Sequence, residues 1–127
     1  MPPGRVQVTF DCADPAAVAT FWAGVLGYLP PELGTNEHGE PWSRIADPMG
    51  VRPRLFFQRV PEPKVVKNRV HLDVASPSDG PGDRRQQIDA EVERVAGLGA
   101  RPLRSVTDEA GYFVVMQDPE GNEFCVD

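Results

Sequence analysis

The chain has 127 residues, 40% of them hydrophobic, which is the size of one domain with a single buried core. Its net charge of −6 argues against nucleic acid as the main partner, because phosphate binding requires a basic face. No apolar run is long enough to span a bilayer and residues 1–5 lack a signal-peptide core, so we expect a cytoplasmic protein without a membrane partner. Cys12 and Cys125 form no CxxC pair, which argues against a disulfide framework or a zinc knuckle.

The first half of the chain predicts a strand, a helix and further strands. Residues 6–12 alternate apolar and polar side chains, the period that is typical of a half-buried strand. Asp14 is a predicted N-cap ahead of Pro15, and apolar residues then recur at helical spacing until Gly27. Strands are predicted at residues 42–46 and 54–60 around a turn at 47–50, with a weaker strand at 29–34.

The same order of elements restarts in the second half. Residues 69–75 alternate again, and the loop at 76–83 ends at Asp83, a second N-cap candidate. A helix follows and ends at Gly99; its apolar positions are Ile88, Val92, Val95 and Leu98. Strands are predicted at residues 101–107, 112–116 and 123–127, with a turn at 118–121.

Residue offsets support an internal repeat. The pair Leu26-Gly27 recurs as Leu98-Gly99, at 98 − 26 = 72, and the Asp-Pro-x-Gly turn at 47 recurs at 118, at 118 − 47 = 71. The first strands are offset by 71 − 7 = 64, which places about eight extra residues around the loop 76–83. The sequence therefore predicts an α+β protein with a single domain over residues 1–127, built from two tandem βαβββ modules. Module 1 spans about 5–60, the linker about 61–67 and module 2 about 68–127.

The alternation of side chains also predicts a polar face in each module. If each module forms a four-stranded antiparallel sheet with its helix on the apolar face, the other face is covered by the second module or lines a cavity. In module 1 that face carries Gln7, Thr9, Asp11, Arg54, Phe56 and Gln58. In module 2 it carries His71, Asp73, Glu123, Cys125 and Asp127.

Four features taken in order carry a resemblance to a known family. They are Gln7 followed by Asp14, a helix with Phe21-Trp22 and Leu26-Gly27-Tyr28, the run Val70-His71-Leu72-Asp73-Val74, and residues 118–124 with the letters DPEGNEF. In this order they resemble the glyoxalase-like proteins of the vicinal oxygen chelate superfamily over nearly the whole chain. The resemblance implies a cupped mixed β-sheet with helices outside, a small-molecule ligand in the cup between the modules, and a homodimer.

The resemblance also implies a divalent metal, which would polarise two neighbouring oxygens of the substrate. The ligand positions of the family fall on Gln7 and His71 in the first strands and on Phe56 and Cys125 in the last strands. This leaves a degenerate metal site of Gln7, His71 and Cys125 for zinc, nickel, iron or manganese, or no metal at all. Both carboxylates of the family site are replaced, including the general base of a glyoxalase, which argues against lactoylglutathione lyase activity.

Two small-molecule functions stay open at this point, and an interaction or scaffold domain is a third possibility. As an enzyme, the protein would be a metal-assisted lyase, isomerase or dioxygenase, with His71 as ligand or general base. As a metal-free drug-binding protein of the bleomycin-resistance type, it would hold a small molecule against Phe56 and Trp42. The candidate substrate-binding residues are Gln7, Trp42, Phe56, His71, Asp73 and Cys125.

The other chemically notable residues have competing interpretations. Asp11, Asp73 and Glu123 are alternative carboxylates for a base or a shifted metal site. Cys125 is a thiolate ligand, a nucleophile or a small packed side chain. Trp22 is expected in the core, and His38 is expected to be solvated in its loop.

Overall fold

The computed structural model describes residues 4–127, so residues 1–3 of the amino-terminal stretch lie outside the described part. The described elements follow the predicted order of two βαβββ repeats. The first repeat contains β1 (Gln7–Cys12), α1 (Pro15–Leu26), β2 (Glu32–Thr35), β3 (Pro41–Ile45) and β4 (Arg54–Arg59). The second contains β5 (Asp73–Val74), α2 (Arg84–Gly97), β6 (Arg101–Asp108), β7 (Gly111–Gln117) and β8 (Glu123–Val126). The predicted α+β class and the tandem modules are confirmed.

The chain divides into two compact units between Lys64 and Val65, inside the predicted linker. These units are module 1 and module 2. A single domain over residues 1–127 stays a prediction. Within residues 4–127, no helix is both long and apolar enough to cross a bilayer.

Each module contains one four-stranded sheet, which is mixed rather than antiparallel throughout. The strand order is β1-β4-β3-β2 in module 1 and β5-β8-β7-β6 in module 2. The first strand of each module runs parallel to its last strand, and the other neighbours are antiparallel. Parallel pairing places the starts of β1 and β4 side by side, so that Gln7 lies opposite Arg54.

Helix α1 begins and ends at the predicted residues. The Asp14 carboxylate accepts a hydrogen bond from the Ala17 N–H at 3.2 Å, and Gly27 ends the helix with a left-handed backbone at φ 66°. The helix contacts β3 and β4. Trp22 is 1% exposed, and its ring lies 5.7 Å from that of Phe10, which confirms Trp22 as a core residue.

Helix α2 begins with a capping box at Asp83. The Asp83 carboxylate accepts from the Gln86 N–H at 2.9 Å, and the Gln86 side-chain oxygen accepts from the Asp83 N–H at 2.8 Å. Ile88 and Val95 are buried, and the helix contacts β6, β7 and β8. The sequence predicts Leu98 on the apolar face of the helix. The helix ends at Gly97, so Leu98 is the C-cap residue instead, and its side chain is exposed.

The strand predicted at residues 69–75 is wrong in its length, since β5 contains only Asp73 and Val74. Hydrogen bonds between the Asn68 side chain and the backbone replace a longer pairing of β5 with β8. The Asn68 side-chain oxygen accepts from the Glu123 N–H at 2.9 Å, and its amide donates to the Val70 carbonyl at 2.6 Å. Val70 is therefore not held against the core and is exposed, whereas Val74 is buried as expected.

Candidate functional site

The predicted separation of polar and apolar faces is found in β1 of module 1 and in β8 of module 2. In β1, Gln7, Thr9 and Asp11 are exposed, while Cys12 at the end of the apolar set is buried. In β8, Phe124 and Val126 are buried, and Glu123 and Cys125 are partly exposed. Each module therefore carries a polar strand face opposite the side that packs on its helix.

Three potential metal ligands meet on the polar face of module 2. Asp73 and Cys125 are direct partners on the parallel strands β5 and β8. His71 lies two residues before Asp73, and its Nε2 atom is 3.3 Å from the Asp73 Oδ1 atom. One ligand atom from each of His71, Asp73 and Cys125 lies within 4.8 Å of the other two. We call these three residues the module 2 cluster.

The surroundings of the Cys125 thiol favour its protonated form. Burial raises the pKa of Cys125 most, and the negative charges of Asp73 and Asp127 raise it further. A hydrogen bond to Asp73 acts in the same direction, and the charge of Arg104 opposes these effects. Without a cation, Cys125 is thus a weak nucleophile, because the thiolate is the reactive form.

The donor set of the module 2 cluster fits a transition metal. Imidazole, carboxylate and thiolate together suit zinc, nickel or iron better than the hard manganese ion, because thiolate is a soft ligand. His71 and Asp73 are about half exposed, so a metal would have room for ligands besides the protein. Binding would require the Cys125 thiol to lose its proton, and the positive charge of the metal would favour that loss.

Gln7 has a different environment in module 1. Its side-chain oxygen accepts a hydrogen bond from Arg54 Nε at 2.6 Å. This oxygen is the atom that would bind a metal, and a guanidinium cation already occupies one side of it. Phe56, at the other family ligand position of module 1, has no donor atom. Within module 1, the local geometry therefore favours an anion more than a metal ion.

Two aromatic rings lie on the same face of module 1. The rings of Trp42 and Phe56 are stacked, with centroids 5.5 Å apart and planes at 26°. Trp42 pairs with Gly34 on the neighbouring strand, where a β-carbon would overlap the indole. Arg44 lies 5.5 Å from the Trp42 ring centroid and forms an ion pair with Glu32 at 2.7 Å.

The structure groups the predicted site residues by module. It brings His71, Asp73 and Cys125 together in module 2, and Gln7, Trp42 and Phe56 lie on the polar face of module 1. A ligand cup shared between the modules stays a prediction.

The remaining candidates have local partners or surface positions. Asp11 accepts a hydrogen bond from the Gln58 amide at 2.8 Å, and Glu123 lies 3.9 Å from Arg104. His38 is exposed in its loop, as expected, beside Glu37. The sequence placed Arg54 on the polar face but did not predict its bond to Gln7, which depends on the parallel register of β1 and β4.

Two tandem βαβββ modules with mixed sheets define the fold of the vicinal oxygen chelate superfamily. A model of the glyoxalase-like domain family matches residues 7–126, and the chain belongs to this family. No curated protein matches the chain significantly.

Solved structures support the same fold. A variant of the fosfomycin resistance protein FosX from Listeria monocytogenes, in complex with Mn(II) and 1S,2S-dihydroxypropylphosphonic acid, is similar with a TM-score of 0.72 at 12% identity. The alignment covers 99% of this chain and 92% of that one. FosX from Mesorhizobium loti gives 0.70 at 14% identity, covering 99% and 91% of the two chains. A glyoxalase/bleomycin resistance protein/dioxygenase family enzyme from Burkholderia phytofirmans PsJN gives 0.66 at 16% identity, covering 94% of each chain. At these identities the likeness shows the fold alone.

Proposed function

We propose that this protein binds and transforms a small molecule with a divalent metal held by His71, Asp73 and Cys125. The observation that carries the proposal is the meeting of imidazole, carboxylate and thiol ligand atoms within 4.8 Å of one another. In this proposal Asp73 takes over the role of the family's missing carboxylate, and zinc, nickel or iron is favoured over manganese. Gln7 is left out of the ligand set because its oxygen is bonded to Arg54.

When bound, the metal would supply Lewis-acid polarisation of a substrate oxygen, which suits a lyase, isomerase or dioxygenase reaction. Asp73 would supply a carboxylate ligand next to the imidazole ligand, since the His71 Nε2 and Asp73 Oδ1 atoms lie 3.3 Å apart. Cys125 would contribute negative charge once its proton is lost. In the absence of a metal, the same His71–Asp73 pair has the arrangement of a general base with an orienting carboxylate.

The metal proposal is tested by titrating chelator-treated protein with Co²⁺ and Zn²⁺. We expect one equivalent to bind and Co²⁺ to produce a thiolate charge-transfer band in the near ultraviolet, which Cys125→Ser abolishes. His71→Ala and Asp73→Asn should weaken binding by about tenfold or more, because loss of even an outer-shell partner costs that much. His38→Ala and Asp79→Asn are matched controls on the loops and should bind like the parent.

Either of two outcomes contradicts metal binding by the module 2 cluster. The first is a parent protein that takes up neither ion at millimolar concentration. The second is unchanged affinity in the combined His71→Ala, Asp73→Asn and Cys125→Ser variant, which would place the metal elsewhere.

A metal-free drug-binding protein of the bleomycin-resistance type is the second candidate. The stacked rings of Trp42 and Phe56 favour it, because they offer aromatic surface beside polar groups. Absence of metal uptake, combined with ligand binding that Phe56→Leu weakens, would select this function over the first.

The proposal includes a homodimer in a reducing compartment such as the cytoplasm. The dimer follows from the family resemblance, and the compartment agrees with two cysteines that form no disulfide. Sedimentation equilibrium at micromolar concentration tests the dimer, and a monomer under these conditions contradicts it.

A further inference from the structure

The polar face of module 1 is organised around one aromatic side chain. Phe56 lies between Thr9 on β1 and Arg44 on β3 in the strand register. Arg54 and Gln58 flank it along β4 at a spacing of two residues, which places them on the same face about 7 Å away on either side. The Trp42 ring stacks on Phe56 and extends the flat surface.

The two ends of this face differ in charge. At one end, Arg54 Nε is bonded to the neutral Gln7 side chain. At the other end, the Asp11 carboxylate is bonded to the neutral Gln58 amide. A ligand lying along β4 would therefore meet a positive charge at the Arg54 end and a negative charge at the Asp11 end.

Arg54 differs from its strand neighbours in having no acidic partner. Arg44 is paired with Glu32 at 2.7 Å, and Arg59 is paired with Glu40 at 3.0 Å. Among residues 4–127, no carboxylate forms an ion pair with Arg54. Its side chain is half-buried, and within the same part of the chain its two terminal nitrogens have no hydrogen-bond partner.

The bond to Gln7 prepares Arg54 for an anion. It fixes the guanidinium through Nε and leaves the two terminal nitrogens to donate in parallel, the arrangement that binds a carboxylate or phosphonate through two oxygens. A half-buried cation without a counter-charge gains most from an anionic ligand, because screening by water is reduced there.

We propose that the polar face of module 1 binds an aromatic organic anion. The acidic group lies on Arg54, and the flat body lies over Phe56 and Trp42. The acid points away from Asp11, which would repel it. The inference rests on the proposed function in assuming a small-molecule ligand, but it uses only residues of module 1.

The test compares two probes of the same shape, 2-naphthoate and its neutral amide 2-naphthamide, by isothermal titration calorimetry at low salt. The parent should bind the acid at least about tenfold more tightly than the amide, since a charge-assisted bidentate contact is lost in the amide. Arg54→Gln should remove this preference, and Arg54→Lys should retain part of it. Phe56→Leu should weaken both probes while keeping the preference for the acid.

Arg101 supplies a matched control in module 2. It also donates to a glutamine oxygen, that of Gln117, at 2.9 Å, so Arg101→Gln changes the net charge by the same amount. We expect this variant to bind both probes like the parent. A thermal melt of each variant distinguishes loss of the site from loss of the fold.

A third probe, 2-naphthylphosphonate, separates the two acid types. Binding of either acid that depends on Arg54 supports the inference. The acid with the higher affinity indicates whether the natural ligand carries a carboxylate or a phosphonate. Equal binding of acid and amide, unchanged binding by Arg54→Gln, or no binding of either acid at millimolar concentration overturns it. Metal uptake without binding of these acids would defeat this inference alone, whereas absence of both would defeat the proposed function as well.

Discussion

Asp73 and Cys125 are direct partners on two parallel strands, and a ligand atom of each side chain lies within 4.8 Å of the other. His71 lies 3.3 Å from the same Asp73 carboxylate. Asp73 therefore links the imidazole to the thiol. Its charge raises the pKa of Cys125 in the absence of a cation, and the same carboxylate is a ligand when a cation is present.

Asp73→Asn should lower the pKa of Cys125 in the metal-free protein, because it removes a negative charge next to the thiol. At a fixed pH below that pKa, the variant then contains more thiolate and is alkylated faster by iodoacetamide. Site-resolved mass spectrometry of the Cys125 peptide measures the rate against pH. Asp79→Asn is the control, and equal rates in Asp73→Asn and the parent would contradict the proposed coupling.

The two tryptophans should respond oppositely to truncation. Trp22→Ala removes a fully buried ring and should lower the free energy of unfolding by about 3–5 kcal/mol. Trp42→Ala should cost much less stability, since its side chain is only partly buried, but should weaken binding of aromatic ligands. Urea denaturation and ligand titration measure the two effects. A large stability loss in Trp42→Ala with unchanged binding would show that Trp42 is structural.

Gly34 should be needed for the position of the Trp42 ring. A β-carbon at residue 34 would overlap the indole, so Gly34→Ala must displace it from its stack on Phe56. We expect shifted tryptophan fluorescence and weaker binding of aromatic ligands. Gly80→Ala is a matched control, because a β-carbon there meets nothing within 4 Å. Identical spectra and affinities in the two variants would contradict this prediction.

We expect Asp47 to make the free energy of unfolding depend on pH. Its carboxylate accepts hydrogen bonds from the backbone of Val51 at 3.0 Å and of Arg52 at 2.8 Å, and from the Arg52 side chain at 3.1 Å. These bonds hold the pKa of Asp47 well below its ordinary value, and the bond from the Arg52 side chain contributes most.

A lowered pKa in the folded state stabilises the protein above the unfolded-state pKa, and this contribution is lost as the pH falls towards the folded-state pKa. Asp47→Asn should therefore lower the urea midpoint at pH 7, and its difference from the parent should shrink as the pH falls below 4. Asp79→Asn, in the loop that precedes α2, is the control for the loss of one carboxylate. A constant gap between Asp47→Asn and the parent at all pH values would contradict the assignment.

The fold was largely predictable because its signals are local. Asp14 and Gly27 mark the ends of α1 by their capping chemistry, and alternation assigned the faces of β1 and β8. The length of the strand predicted at 69–75 was overestimated, because the alternation of side chains carries no information about Asn68. The Asn68 side chain replaces part of the hydrogen bonding between β5 and β8. The parallel pairing of β1 with β4 is a long-range property that no local pattern specifies.

The candidate site was predictable only in part, because the sequence predicted Gln7, His71 and Cys125 as metal ligands and Asp73 only as an alternative carboxylate. The sequence placed His71, Asp73 and Cys125 on one face, but their mutual distances depend on the register of β5 against β8. The bond between Gln7 and Arg54 likewise joins residues 47 positions apart. The sequence predicted Gln7 as a metal ligand, whereas in the structure it is the hydrogen-bond partner of a cation. This bond could not be predicted without knowing that β1 pairs with β4.

The central claim is tested most directly by a crystal structure of the zinc-soaked protein with anomalous scattering recorded at the zinc absorption edge. The proposal predicts one strong peak bonded to His71 Nε2, Asp73 and the Cys125 sulfur. A peak bonded to other residues, or no peak at these three side chains while they are free of lattice contacts, would contradict it.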